Sequence, residues 1–250
     1  MAGPLEGKVA LVTGAGKNIG RTIALTLARD GAAVVVNGRS DRALVDAVVG
    51  EIQALGGKAM GYVADVSDPR GVGQMVEATV GTMGGLDIVV SNAGLRRQTS
   101  FLDMSLEEWR EILSVALDGA FILAKAAVPH LIRRGGGAIV AMSGVSTHVG
   151  TPNRCHVSAS KAGLEGLIRA LAIELAPHRI TCNCVAPGAV DTARGPSAGA
   201  MPGMLSDQNI PLKRKATVDE IAAAVRHLVG PGGGYITGQT IHVNGGVFLT

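Results

Sequence analysis

The stretch KVALVTGAGKNIG, residues 8–20, sets the pattern that the rest of the chain repeats. Lys8 to Thr13 is a short β-branched run that stops at Gly14, which reads as a buried strand followed at once by a tight turn. Beyond it Ile23, Leu25, Leu27 and Ala28 fall on helical spacing until Gly31 closes the helix. The unit then recurs. Strands are expected at Ala33–Asn37, Ala59–Ala64 and Ile88–Ser91, with helices at about 41–55 and 68–83 between them. Three strand–helix units in the first ninety or so residues predict a doubly wound parallel sheet with right-handed crossovers.

The second half continues without a linker. A long helix is expected from about Ser105 to Arg134 with Gly119 inside it, then a strand at Ala138–Met142, a helix at Val157–Ala176 and a strand at Ile180–Val185. A helix at Val218–Leu228 and a seventh strand at Gln239–Val243 follow. The expectation is one α/β domain over residues 1–250, a seven-stranded parallel sheet flanked by helices. The loop from about 188 to 215, rich in Gly, Pro and Ser, is long enough to act as a lid over a site.

Composition bounds the function. Of 250 residues 47% are apolar and only 2% aromatic, so the core must be Val, Ile, Leu and Ala, which suits strands buried on both faces. The formal charge of +3 comes with no long basic run, which argues against nucleic-acid binding. No apolar stretch is expected to span a membrane and no signal segment is read at the start, so a cytoplasmic protein is expected. The three cysteines, Cys155, Cys182 and Cys184, lack metal-ligand spacing and read as small buried hydrophobes; no metal site is expected.

Between strand and helix, the amides of the turn from Gly14 to Gly20 can face a pyrophosphate, helped by the helix dipole. Gly14 permits the sharp turn, Gly16 adds flexibility and Gly20 lets helix and strand approach. No carboxylate ends the second strand to hold a ribose 2′-hydroxyl. Asn37 stands there, followed by Arg39, and Lys17 lies in the first turn; both cations suit a 2′-phosphate.

These motifs resemble the short-chain dehydrogenase/reductase family over the whole chain. Thr13-Gly-Ala-Gly-Lys-Asn-Ile-Gly20 is similar to its TGxxxGxG turn, with Asn18 at the middle glycine. Asp65-Val66 ends the third strand, Ser91-Asn92-Ala93-Gly94 resembles NNAG, Pro187-Gly188 resembles the PG motif, and the C-terminal Tyr235–Gln239 and Val243–Gly246 match its closing signature. The resemblance implies a single-domain Rossmann fold and NADP(H) more than NAD(H). It implies cofactor contacts from Gly14, Gly16, Lys17, Asn18, Ile19, Gly20, Arg39, Ser40, Asp65 and Val66. Further contacts are implied from Asn92, Ala93, Gly94, Lys161, Pro187, Gly188, Val190 and Thr192. It also implies a homo-oligomer, dimer or tetramer, joined through the long helix and the Lys161 helix.

The chemical end departs from the family. Aligned on Lys161, the family's Tyr and Ser positions hold Val157 and Gly144, and Val115-Ala-Leu-Asp-Gly119, similar to its VNLxG run, puts Ala116 at the Asn position. A positioned acid contributes roughly 10²–10⁴-fold, so the usual carbonyl relay is disfavoured. Ser143, Ser146, His156 and His148 are the candidate substitutes, with Cys155 a weaker one; Arg96, Arg97 and Arg154 are placed to clamp an anionic small-molecule substrate. The expectation is an NADP(H)-dependent oxidoreductase with a non-standard site, reducing an iminium or conjugated small molecule. The alternatives are a non-catalytic cofactor-binding sensor, a subunit that supports an active homologue in a hetero-oligomer, and a non-redox lyase or isomerase.

Overall fold

A computed structural model describes residues 3–193 and 203–250. Strands β1 (Val9–Val12), β2 (Ala33–Gly38), β3 (Ala59–Val63), β4 (Ile88–Ser91), β5 (Gly137–Met142), β6 (Ile180–Pro187) and β7 (Thr240–Val243) form one sheet in the order β3-β2-β1-β4-β5-β6-β7. Every pairing is parallel. The helices are α1 (Asn18–Arg29), α2 (Arg42–Ala54), α3 (Pro69–Met83), α4 (Leu106–Leu113), α5 (Gly119–Arg134), α6 (Ser146–Val149), α7 (Cys155–Leu175) and α8 (Val218–Val229). This is the Rossmann fold expected from the sequence, a single domain.

Alternation along each strand builds two cores. Ala10, Val12, Val34, Val36 and Val140 face α1, α2 and α8, while their neighbours Leu11, Val35, Val89, Ile139 and Ala141 face α3, α5 and α7. Each fully buried Leu or Ile contributes roughly 1.5–3 kcal/mol over its exposed state. Cys182 and Cys184 lie in the second core, where burial pushes both thiols up to about 12 and leaves them inert at neutral pH. At the opposite end of the sheet from the site, buried Asp87 accepts from the Val9 amide at 2.9 Å and from Arg134 Nε at 3.1 Å, tying α5 to β1.

Local chemistry sets the helix ends. Asp68 caps α3 by accepting from the Arg70 and Gly71 amides, with Pro69 opening the helix. Thr217 and Glu220 form a reciprocal capping box on α8.

Several boundaries differ from the sequence expectation. β6 runs on to Pro187 because β7 continues to pair with it through Ala186 and Pro187. α7 starts at Cys155, two residues early, and α6 was not expected at all. The long helix is interrupted by a π-turn at Ser114–Asp118, which inserts an extra residue and shifts the register of everything before it. The joined stretch Leu106–Arg134 is also long and apolar enough to cross a bilayer, contrary to expectation. Ala120, Leu123, Ala124, Ala127 and Leu131 are instead buried against the sheet, which explains the apolar run as a core helix. Of the expected lid, 194–202 lie outside the described residues. The flanks pack down: Val190 bridges Ala216, and Leu205 and Ile210 join Val145 and Ala189 in a small cluster.

Candidate active site

The chain runs from β1 outward to β3 and then returns to β4 on the other side of β1, and a crevice opens at the carboxyl ends of the strands where the direction reverses. Thr13 and Asn92 stitch its floor. The Thr13 hydroxyl accepts from the Asn92 and Ala93 amides at 3.0 and 3.1 Å, and Asn92 Nδ2 donates to the Thr13 and Gly14 carbonyls at 2.9 and 3.0 Å. A Cβ on Gly20 would lie 2.4 Å from the Gly14 carbonyl oxygen, so only glycine lets the start of α1 reach this floor.

The resulting groove, about 410 Å³, is lined by Gly14, Lys17, Asn18, Ile19 and Gly20 on one side and by Arg39, Asp65 and Val66 on another. Asn92, Ala93, Gly94 and Thr192 close it. The N-terminus of α1 and the two cations Lys17 and Arg39 thus face one volume, a donor set that suits a dinucleotide with an extra phosphate on its adenosine ribose. Asp65 sits below the usual carboxylate range. Partial burial pushes it upward, but the Ser67 hydroxyl at 2.7 Å, the Ser67 amide at 2.9 Å and the charge of Arg39 outweigh that.

Two asparagines in the groove do work the sequence did not advertise. Asn37 is buried, and its side chain donates to the Ala64 carbonyl at 3.1 Å and accepts from Gly14 N at 3.4 Å. It is a staple across β1, β2 and β3. Asn18 takes a positive φ of 51° where the family motif has glycine, and its amide clasps Ala193 from both sides. Nδ2 donates to the Ala193 carbonyl at 3.0 Å and Oδ1 accepts the Ala193 amide at 3.2 Å.

A cavity of about 150 Å³, large enough for one small ring, continues from the groove. Asn92, Gly94 and Arg96 line both. Val157, Val145, Met142, Leu205 and Val190 make much of its wall, and Ser143, Ser146, Lys161 and Arg154 bring polar groups, with Pro187 and Gly188 at one side. Neither tyrosine of the chain lines it: Tyr62 is on β3 and Tyr235 is fully exposed. Lys161 Nζ donates to the Met142 carbonyl at 2.6 Å. Burial, and then the nearby charge of Arg96, lower its pKa to about 8. A Cβ on Gly144 would meet only Ser146 Oγ, at 3.9 Å, so the Ser146 hydroxyl stands beside the place a residue-144 side chain would fill.

Other expected site residues lie elsewhere. His156 is fully enclosed, because α7 starts early and turns it toward α4, where its Nε2 meets Glu108 Oε1 at 3.1 Å. Glu108 also accepts from the Thr99 hydroxyl at 2.6 Å, the main cause of its lowered pKa. Cys155 Sγ points to Met104 Sδ at 3.7 Å, and neither it nor His156 lines the cavity. Arg97 is held by Glu111 at 3.0 Å and lies outside the cavity lining; among the described residues Arg96 and Arg154 are the arginines that line it. Ser40 is exposed and Gly16 packs toward Leu44, both outside the groove lining. His148 bonds a buried carboxylate, Glu165, which sequence reading missed; its i+4 spacing from Lys161 on α7 was the available signal.

Residues 14–248 match the family model described as "Enoyl-(Acyl carrier protein) reductase". The chain is 38% identical over 246 residues to a 3-oxoacyl-(acyl-carrier-protein) reductase of Synechocystis, covering 98% of both chains. It is 40% identical over 249 residues to a reductase of the same name from Staphylococcus aureus, covering 97% of this chain and 98% of that one. Among solved structures, a short-chain dehydrogenase from Burkholderia cenocepacia in complex with NADP superposes with a TM-score of 0.91 at 36% identity, covering 98% and 99%.

Proposed function

Since the chain belongs to the short-chain dehydrogenase/reductase family, we propose that it is an NADP(H)-dependent oxidoreductase whose substrate accepts hydride without a strong acid at its heteroatom, an iminium ion or a conjugated small molecule. The observation that carries this reading is what stands at three positions: Val157 and Gly144 line the cavity and Ala116 is buried in the π-turn, where the family resemblance implies a phenol, a hydroxyl and an amide, and a side chain of hydrocarbon or hydrogen gives no proton. NADP(H) rather than NAD(H) is supported by Lys17 and Arg39 lining the groove and by Asn37 being consumed within the sheet.

Bound there, the dinucleotide would supply or take up a hydride. The chain's own residues do the rest. The amides at the start of α1 and the two cations would hold phosphate, Lys161 would turn from its carbonyl partner to hold ribose hydroxyls, and Ser146 offers a hydroxyl where residue 144 has none. Val157, Val145 and Leu205 keep water from the reacting carbon. The protein works as a homo-oligomer through α5 and α7, a reading supported by Phe121 and Ile173, 50% and 79% exposed on those helices.

The test is calorimetry with NADPH and NADH followed by NADPH oxidation against matched imines, enones and ketones. Tighter NADPH binding with imine or enone turnover is expected. Efficient ketone turnover refutes the substrate reading, and NADPH binding with no turnover by the purified protein favours the non-catalytic subunit.

A further inference from the structure

Behind the cavity lies a carboxylate that the cofactor groove does not use. Glu165 stands one turn beyond Lys161 on α7 and is 3% exposed. It accepts from the Ser143 hydroxyl and from His148 Nε2 at 3.1 Å, and Arg169 approaches it at 3.8 Å. His148 is itself fixed, edge-on to His242 with ring centroids 4.6 Å apart and stacked on Phe248 at 4.8 Å.

A carboxylate can only accept, so Ser143 commits its single hydroxyl proton to Glu165. Toward the cavity it lines, Ser143 has lone pairs left and no proton. A carbonyl oxygen, an acceptor too, finds no partner at Ser143, whereas an N–H does. The charges around the same volume sharpen the point. Lys161, Arg96 and Arg154 line the cavity, and Glu165 stands behind its Ser143. A guest carboxylate finds cationic side chains on this wall, and a guest N–H finds the Ser143 oxygen that Glu165 holds. A small molecule with a positive N–H at one end and a carboxylate at the other satisfies both.

We infer that the substrate is a small cyclic imine in its protonated form bearing a carboxylate, with its N–H on Ser143 and its carboxylate toward Arg96 and Arg154. This rests on the oxidoreductase reading above and narrows its substrate class. Ser143 and Glu165 determine specificity, and His148 is a positioning residue that holds Glu165. In the step, the iminium carbon takes the hydride, the C=N π electrons pass to nitrogen, and the nitrogen keeps its proton as a neutral amine. The dinucleotide is left oxidised, and no further proton is needed.

Two inert look-alikes test the recognition without turnover: pyrrole-2-carboxylate, which has the ring N–H, and furan-2-carboxylate, whose ring oxygen only accepts. Each is titrated by calorimetry into the full chain saturated with NADP⁺. The pyrrole is expected to bind about tenfold tighter, the size of one discriminating hydrogen bond, and Ser143→Ala should bring the ratio to about one. Glu165→Gln should do the same, because a glutamine amide can donate to Ser143 and release its proton. Should that variant fail to fold, Ser143→Ala, which leaves Glu165 its bond to His148, carries the test. Equal binding of the two acids to the wild-type complex overturns the inference and leaves the oxidoreductase reading standing. Absence of NADPH affinity in the preceding calorimetry overturns both.

Discussion

Replacing Asn18 by glycine restores the residue the family motif carries and removes the clasp on Ala193. Two hydrogen bonds are lost, at 3.0 and 3.2 Å, both near the surface. At the low end for net hydrogen-bond worth they sum to about 1 kcal/mol. Glycine relieves the positive φ of 51° but adds entropy to the unfolded chain, two effects of roughly 0.5–1 kcal/mol that oppose each other. The net consequence falls on the segment after β6, because Thr192 and Ala193 line the cofactor groove. Loosening it by about 1 kcal/mol corresponds to roughly a fivefold faster release of NADPH. Stopped-flow displacement of NADPH, read by its fluorescence, measures that rate, and the thermal transition should barely move. An unchanged or slower release would show that the Asn18–Ala193 tie does not gate the groove.

Arg39→Ala should weaken NADPH binding by roughly 10- to 100-fold, the value of a charge-assisted contact to phosphate, and leave NADH affinity unchanged; equal losses for both dinucleotides would remove Arg39 from the 2′-phosphate. Lys161→Met tests the enclosed ammonium through pH. The folded-state pKa of about 8 lies below the ordinary 10.5, so between those values the unfolded chain binds more protons and wild-type stability rises with pH. The methionine variant should therefore be the more stable protein at pH 7, by on the order of 3 kcal/mol at most, with its advantage shrinking from pH 8 to 10.5. Urea unfolding of both proteins across that range reads the difference, and a constant gap would mean the ammonium is not destabilised by its surroundings.

Most of the fold was legible because it depends on local periodicity. The β-branched runs at Lys8–Thr13 and Ile88–Ser91, each ended by a turn, and the 3.6-residue spacing around Ile23 to Ala28 are properties of neighbouring residues. Features that depend on distant partners were not legible. The π-turn at Ser114–Asp118 adds one residue to a helix whose pattern reads as unbroken, and β6 reaches Pro187 only because β7 lies beside it. His156 looked available because it sits next to the cavity wall in sequence, and it is committed to Glu108, 48 residues away.

What the chain order alone determined is the arrangement of seven strands and their helices and the glycine turn at the start of α1, since each is carried by residue type and short-range spacing. The tertiary structure decided which polar groups remain free to act. Ser143 and Glu165 are 22 residues apart and become one unit only when α7 packs beside β5, and Asn18 meets Ala193 across 175 residues. Hydrogen-bond capacity is finite, a hydroxyl having one proton and a carboxylate none, so a site's chemistry follows from which partners the fold has already assigned.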